Sequence, residues 1–269
     1  MEYVTASGVD VPALGFGTWP MKGATCRTAV EHALDAGYRH LDTAQMYNNE
    51  DAVGQAIADS AVPREDVFLV TKIFRQNLSH DKVLSSVEQS VQRLGTEIDL
   101  LLIHSPSRSV PIEASISAMN DLQERGLVEH IGVSNFSVEQ MRQAIAASET
   151  PILTNQVEYH PFKSQPELLE FCIENKIILT AYSPLAQGRV IGNAVLEEIG
   201  TQYGKTDAQV ALRWLIQQEM VAAIPKASSQ THIEENFDVF DFELSDTEME
   251  RIFDLQGGLF SRLRSLLGL

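Results

Sequence analysis

Short apolar runs alternate with amphipathic stretches along the whole chain. The runs occupy residues 13–18, 40–42, 67–72, 99–104, 130–135, 153–158, 177–182 and 223–226. They are short and almost unbroken in Val, Ile, Leu and Ala, the pattern of parallel strands buried on both faces. Helix signals fall between them. Ser137 and Gln140, Thr206 and Gln209, and Ser245 and Glu248 each have capping-box spacing, in which two side chains satisfy free backbone N–H groups at a helix start. Residues 81–94 place Val83, Leu84, Val87, Val91 and Leu94 on one helical face. Eight strands with intervening helices predict an α/β chain closed into a single (β/α)8 TIM barrel. Residues 2–12, with Ser7-Gly8 at their centre, predict a short N-terminal β-hairpin on the barrel floor. No linker or repeat interrupts the pattern, so residues 1–269 read as one domain.

Most of these runs end in a polar or ionisable residue: Asp42, Lys72, His104, Asn135, Glu158, Tyr182 and Lys226. The C-terminal ends of barrel strands share one rim, where barrel enzymes do their chemistry. Residues distant in sequence should therefore meet in one pocket. A buried Lys72 beside Asp42 would form a desolvated pair. Tyr47, five residues beyond Asp42, would lie near that ammonium, which is expected to bring its ordinary pKa of about 10 closer to working pH. Such a phenol can protonate a developing alkoxide, and His104 can orient a carbonyl oxygen. The set is suited to carbonyl reduction and needs a hydride from outside.

Composition narrows the partners. The 269 residues carry 37 acids against 20 cations, a net charge of −17. That excess argues against nucleic acid and anionic lipid as partners. The acids are spread along the chain, and seven lysines stand against thirteen arginines. Such a surface serves solubility or a salt-rich cytoplasm, and the scarcity of lysine favours the second. No run is long and apolar enough to span a membrane. The start, Met1 to Thr5, is neither basic nor apolar as a secretory signal would be. Cys26 and Cys172 form no paired motif, and His40, His160 and His232 are too scattered for zinc. A cytoplasmic protein without a bound metal is expected.

The sequence closely resembles the aldo-keto reductase family, in particular its prokaryotic diketogluconate reductase-like and aldehyde reductase branch. The likeness runs from about Val9 to Leu255. It rests on Asp42-Thr-Ala-Gln-Met-Tyr47-Asn-Asn-Glu50, Gly132-Val-Ser134-Asn135-Phe136, Asn155-Gln156-Val-Glu-Tyr-His-Pro161 and Ala181-Tyr182-Ser183-Pro-Leu185. The resemblance implies a (β/α)8 barrel that transfers hydride from NADPH or NADH to a carbonyl. The family's catalytic Asp, Tyr, Lys and His fall on Asp42, Tyr47, Lys72 and His104. By the same resemblance Ser134, Asn135 and Gln156 hold the nicotinamide amide, Tyr182 stacks on its ring, and Ser183 and Leu185 continue the cofactor strip. Trp19 lines the substrate pocket. At the adenosine end Lys226 meets a 2′-phosphate, and Glu235 and Asn236 contact adenine. Two positions depart from the family pattern: Ala227 replaces a frequent Ser, and His232 a frequent Arg. Histidine lacks the permanent forked charge of arginine. Use of both NADP(H) and NAD(H), with NADPH modestly ahead, is the expectation.

Two other functions fit such a barrel: a redox-sensing subunit that binds cofactor with little turnover, and an isomerase or aldolase using Lys72 as a Schiff-base nucleophile. The cofactor motifs favour hydride transfer over both. Gly15 and Gly17 resemble a dinucleotide fingerprint but lack its third glycine, and Gly200 and Gly204 are one residue too close for a phosphate loop. The loop after His104 is short, which predicts an open pocket for small aldehydes, α-keto compounds or sugar-derived carbonyls. Residues 259–267 have amphipathic helical spacing and are read as a helix packed on the barrel. A monomer or weak homodimer acting on a small-molecule carbonyl substrate is expected.

Overall fold

The computed structural model describes residues 1–256. The chain opens with an antiparallel hairpin, β1 (Tyr3–Ala6) and β2 (Val9–Pro12), turning at Ser7 and Gly8. Eight parallel strands follow in sequential order. They are β3 (Phe16–Gly17), β4 (His40–Asp42), β5 (Phe68–Ile73), β6 (Ile98–Ile103), β7 (Val128–Ser134), β8 (Ile152–Glu158), β9 (Ile178–Tyr182) and β10 (Val221–Ala223). Leu14 bridges Ala223 in parallel, and the Gly15 and Gly17 amides donate to the carbonyls of Ala223 and Pro225 at 2.8 Å, which closes the barrel. These contacts explain the two glycines. A Cβ on Gly15 would stand 2.7 Å from the His40 ring, and one on Gly17 3.0 Å from the Ile224 carbonyl. Close backbone approach at the closing seam needs them, not a dinucleotide.

Helices α1 (Gly23–Ala36), α2 (Glu50–Asp59), α3 (His80–Leu94), α4 (Ile112–Glu124), α5 (Val138–Ala147) and α6 (Pro166–Glu174) each link two consecutive strands of the barrel. Helices α7 (Ala194–Tyr203) and α8 (Asp207–Ile216) share one connection, and α9 (Gln230–Phe237) and α10 (Asp246–Asp254) follow β10. All three predicted capping boxes form, at the starts of α5, α8 and α10. A cap contributes about 1 kcal/mol, whereas each fully buried Leu or Val contributes about 1.5–3 kcal/mol, so packing holds the helices and caps set where they start.

Alternation along each strand sorts side chains into two clusters. Leu41, Leu69, Leu101 and Leu179 point outward and join Val30, Val53 and Val87 of the helices. Val70, Leu100, Leu102, Ile178 and Ala222 point inward and pack with Ala6 and Val11 of the hairpin. The hairpin thus plugs the lower barrel with apolar side chains, leaving the opposite rim for polar groups. Two strands differ from expectation. The last ends at Ala223, because Pro225 has no N–H to donate and Lys226 is exposed. The first contracts to two residues at the seam. The predicted helix at 259–267 lies outside the described residues.

Candidate active site

The upper barrel is built by alternation. On β5, Thr71 faces the helices and Lys72 the interior; on β4, Leu41 faces out and Asp42 in. Asp42 and Lys72 are 2% and 1% exposed, and their charged ends meet at 2.5 Å. The Lys72 ammonium also donates to the Thr43 carbonyl at 2.9 Å and to the Tyr47 hydroxyl at 3.4 Å. The other Asp42 oxygen accepts from the Gln156 amide at 2.7 Å, across 114 residues of sequence. Tyr47 leaves a short 3-10 turn, Gln45–Tyr47, closed by Asn48 in the left-handed region. Its ring lies edge-on to His104 at 5.7 Å between centroids and is covered by Trp19 at 5.1 Å. Trp19 itself is half exposed.

Burial pulls the Lys72 ammonium down, but Asp42 and Tyr47 outweigh it and hold its pKa above the ordinary value. Burial also pushes the Tyr47 phenol up, against Lys72, which pulls it down. The expectation that Lys72 brings this phenol closer to working pH is therefore corrected. Removal from water is the largest effect on the phenol, and the Asp42 carboxylate beside the ammonium opposes its pull. His104 is pushed down to about 4 by burial first and Lys72 second, so it is neutral at working pH. Its Nδ1 is buried without a partner among the described residues, leaving Nε2 as the nitrogen a ligand can reach.

Neutral buried histidines link folding to acid. Burial lowers His40 and His160 as well as His104. The unfolded chain then binds more protons than the folded one below the ordinary value of 6.5. Stability is full above that pH and falls as pH drops toward about 4, by up to about 1.4 kcal/mol per pH unit for each fully linked histidine. Urea titrations from pH 7 to 4.5 should show this slope, and His104→Asn should make it shallower. An unchanged slope in that variant would remove His104 from the account.

The residues expected to face the nicotinamide form a strip at the ends of β7 and β8, where Ser134 pairs with Gln156. The Ser134 hydroxyl donates to the Gln156 carbonyl at 2.8 Å. The Asn135 amide donates to the His104 carbonyl and to the Ser134 hydroxyl, both at 3.0 Å, and its oxygen accepts from the Tyr182 hydroxyl at 3.0 Å. The strip is thus wired to His104 at one end and, through Gln156, to Asp42 at the other. Among the non-glycine residues with left-handed backbone, Asn48, Asn135, Ser183, Ala186 and Gln187 all lie on this rim. Such strain is costly and gathers where loops must aim side chains.

The remaining candidates stand apart from the tetrad. Ser183 and Leu185 lie in the loop after β9 and are half-buried. Lys226 is exposed with no acidic partner among the described residues, while Ala227 is buried. His232 and Glu235 are exposed on α9, and Asn236 is buried beneath it. Glu158, at its strand end, is taken up by Lys163 at 2.6 Å. The donor set fits a nicotinamide cofactor: buried amide and hydroxyl groups for a carboxamide, an aromatic ring beside them, and an unpaired ammonium for a phosphate. Sequence reading passed over two features. One is the bond from Gln156 to Asp42. The other is Glu50, 1% exposed, which accepts from Thr71 and from both Nε and Nη2 of Arg93 and so ties α2 to β5 and α3 behind the site. Glu50 lies inside the Asp42–Glu50 motif, so its place there was the available signal.

Residues 13–256 match the model of the Aldo/keto reductase family. The chain is 42% identical to a 9,11-endoperoxide prostaglandin H2 reductase of Trypanosoma cruzi over 254 residues, covering 93% of this chain and 89% of the relative. It is 38% identical to a glyoxal reductase of Bacillus subtilis, over 91% and 89% of the two chains. The crystal structure of an aldo-keto reductase from Bombyx mori in complex with NADP superposes with a TM-score of 0.85 at 32% identity, covering 94% of this chain and 92% of that one. In fold, in motif and over nearly its whole described length, this chain belongs to the aldo/keto reductase family.

Proposed function

We propose that this carbonyl-reducing oxidoreductase acts on small aldehydes, α-keto compounds or sugar-derived carbonyls, with Tyr47 as proton donor and Asp42, Lys72 and His104 completing the site. The observation that carries the assignment is the convergence of Tyr47, Lys72, Asp42 and His104 at one strand-end pocket, with the Tyr47 hydroxyl 3.4 Å from the Lys72 ammonium. A bound nicotinamide cofactor supplies the hydride, two electrons and a proton nucleus, to the carbonyl carbon. Tyr47 gives its phenolic proton to the carbonyl oxygen as that oxygen becomes an alkoxide, and the resulting phenolate faces Lys72. A raised pKa suits this task, because the phenol holds its proton until a much stronger base develops beside it. His104, neutral and open at Nε2, fixes the carbonyl oxygen. Asp42 holds Lys72 charged, and Gln156 holds Asp42.

Ser134, Asn135 and Gln156 would receive the carboxamide of the nicotinamide, Tyr182 its ring, and Ser183 and Leu185 the strip beyond. Lys226, Ala227, His232, Glu235 and Asn236 would hold the adenosine end. NADP(H) is favoured because Lys226 is exposed and unpaired among the described residues; NAD(H) is also used, because His232 lacks the permanent forked charge an arginine would bring to a phosphate. Loss of NADPH and NADH absorbance with a panel of aldehydes and ketones tests the assignment. Turnover with both cofactors is expected, NADPH ahead, with Lys226→Ala raising KM for NADPH about tenfold and leaving NADH unchanged. Equal effects on the two cofactors would take the 2′-phosphate away from Lys226. A Schiff-base role for Lys72 is disfavoured, since a nucleophilic lysine must be neutral and this one is held charged.

A further inference from the structure

Cations alone line the loops at one end of the barrel. The eight loops that leave the C-terminal strand ends contain Lys22, Arg75, Arg108, Lys163, Arg189 and Lys226, and no Asp or Glu, in a chain with 37 acids. The loops at the opposite end are mixed, with Glu65, Asp66, Glu97, Glu149 and Glu219 beside Arg39, Arg64, Arg125 and Lys176. The cations also divide between the two halves of the rim. Lys163, Arg189 and Lys226 follow β8, β9 and β10, the half assigned above to the cofactor. Lys22, Arg75 and Arg108 follow β3, β5 and β6, the half that holds Trp19, Tyr47 and His104. Each of these three is exposed, has no ion pair among the described residues, and stands three or four residues beyond a pocket residue: Trp19, Lys72 and His104 respectively.

The pocket floor does not cancel them. Asp42 and Lys72 neutralise each other, His104 is uncharged and Tyr47 keeps its proton. The acids in the first turns of the next helices, Glu50 and Asp51 of α2, Asp81 of α3 and Glu113 of α4, sit in the outer ring, and Glu50 is taken up by Arg93. The potential at the mouth is therefore set by the loop cations, and a cleft with low-dielectric walls focuses it. Arg108 is held at the apex of a built turn: the Ser107 hydroxyl accepts the Ser109 and Val110 amides at 3.1 and 3.2 Å. Its forked guanidinium matches a carboxylate or a phosphate.

We infer that the substrate is itself an anion, an aldehyde or ketone bearing a carboxylate or phosphate group, and that Arg108, supported by Arg75, selects it. This rests on the carbonyl-reduction reading and names the substrate class of that site. The test compares two matched pairs with NADPH: 4-carboxybenzaldehyde against its methyl ester, and glyceraldehyde 3-phosphate against glyceraldehyde. At low salt the anion of at least one pair should lead in kcat/KM by about tenfold, mostly through KM. The lead should shrink in about 1 M KCl, where screening acts over a few ångströms. Arg108→Gln should remove most of it while the neutral members keep their kinetics, and Arg75→Gln should remove less. The pair that responds identifies carboxylate or phosphate. Equal or better turnover of both neutral members overturns the inference and leaves the reductase intact. So does an Arg108→Gln variant slowed alike on every substrate, with a raised KM for NADPH, which would make the rim a cofactor funnel only. A chain that turns over none of the four overturns both readings.

Discussion

Replacing Tyr47 by phenylalanine should lower kcat for carbonyl reduction by about 10³-fold, within the 10²–10⁴ range of a single general acid, while the dissociation constant for NADPH changes less than about twofold. The variant loses one oxygen. It keeps the ring that packs on Trp19 and His104, so the pocket wall survives. What disappears is the only hydroxyl bonded to the Lys72 ammonium among the described residues, and with it the proton for the developing alkoxide. Stopped-flow reduction and fluorescence titration of the same preparation separate the two effects. A variant that reduces aldehydes at more than about a tenth of the parent rate would move the proton-donor role to His104 or to water. A variant that has lost cofactor affinity as well would mean that Tyr47 holds the nicotinamide face rather than the carbonyl.

Lys72→Met should destabilise the protein by about 3–5 kcal/mol, because Asp42 then keeps a buried charge with no cation opposite it. The bond from Gln156 persists and recovers part of that loss. The double variant Asp42→Asn, Lys72→Met should regain most of the stability, since a pair of neutral groups replaces a pair of charges, yet remain inactive. Urea unfolding of the two single variants and the double variant forms a thermodynamic cycle whose coupling energy reports the pair directly. A double variant no more stable than Lys72→Met would show that packing of the lysine stem, not its charge, holds this part of the barrel. Recovery of activity in the double variant would remove the pair from the reaction.

Most of the architecture was legible because it rests on local rules. Runs of β-branched and leucine residues marked six of the eight strands closely, and three capping boxes marked three helix starts, since both signals act within a few residues. The eighth strand was overextended past Pro225 because periodicity cannot see where a ladder loses its donor. The glycines at 15 and 17 looked like a motif fragment until the closing seam showed what they approach.

The sequence by itself determined that this chain is a barrel of alternating strands and helices, that polar side chains gather at one rim, and which family's motifs they match. Tertiary structure decided how those side chains behave. The direction of the Tyr47 shift, the neutral state of His104 and the bond from Gln156 to Asp42 each depend on distances between residues remote in sequence. The gathering of rim cations depends on it too: they are scattered from Lys22 to Lys226 and become one ring only when the barrel closes. Short-range signals survive in the sequence because hydrogen bonds and side-chain periodicity are local; desolvation and Coulomb fields sum over everything nearby in space, which only the folded chain defines.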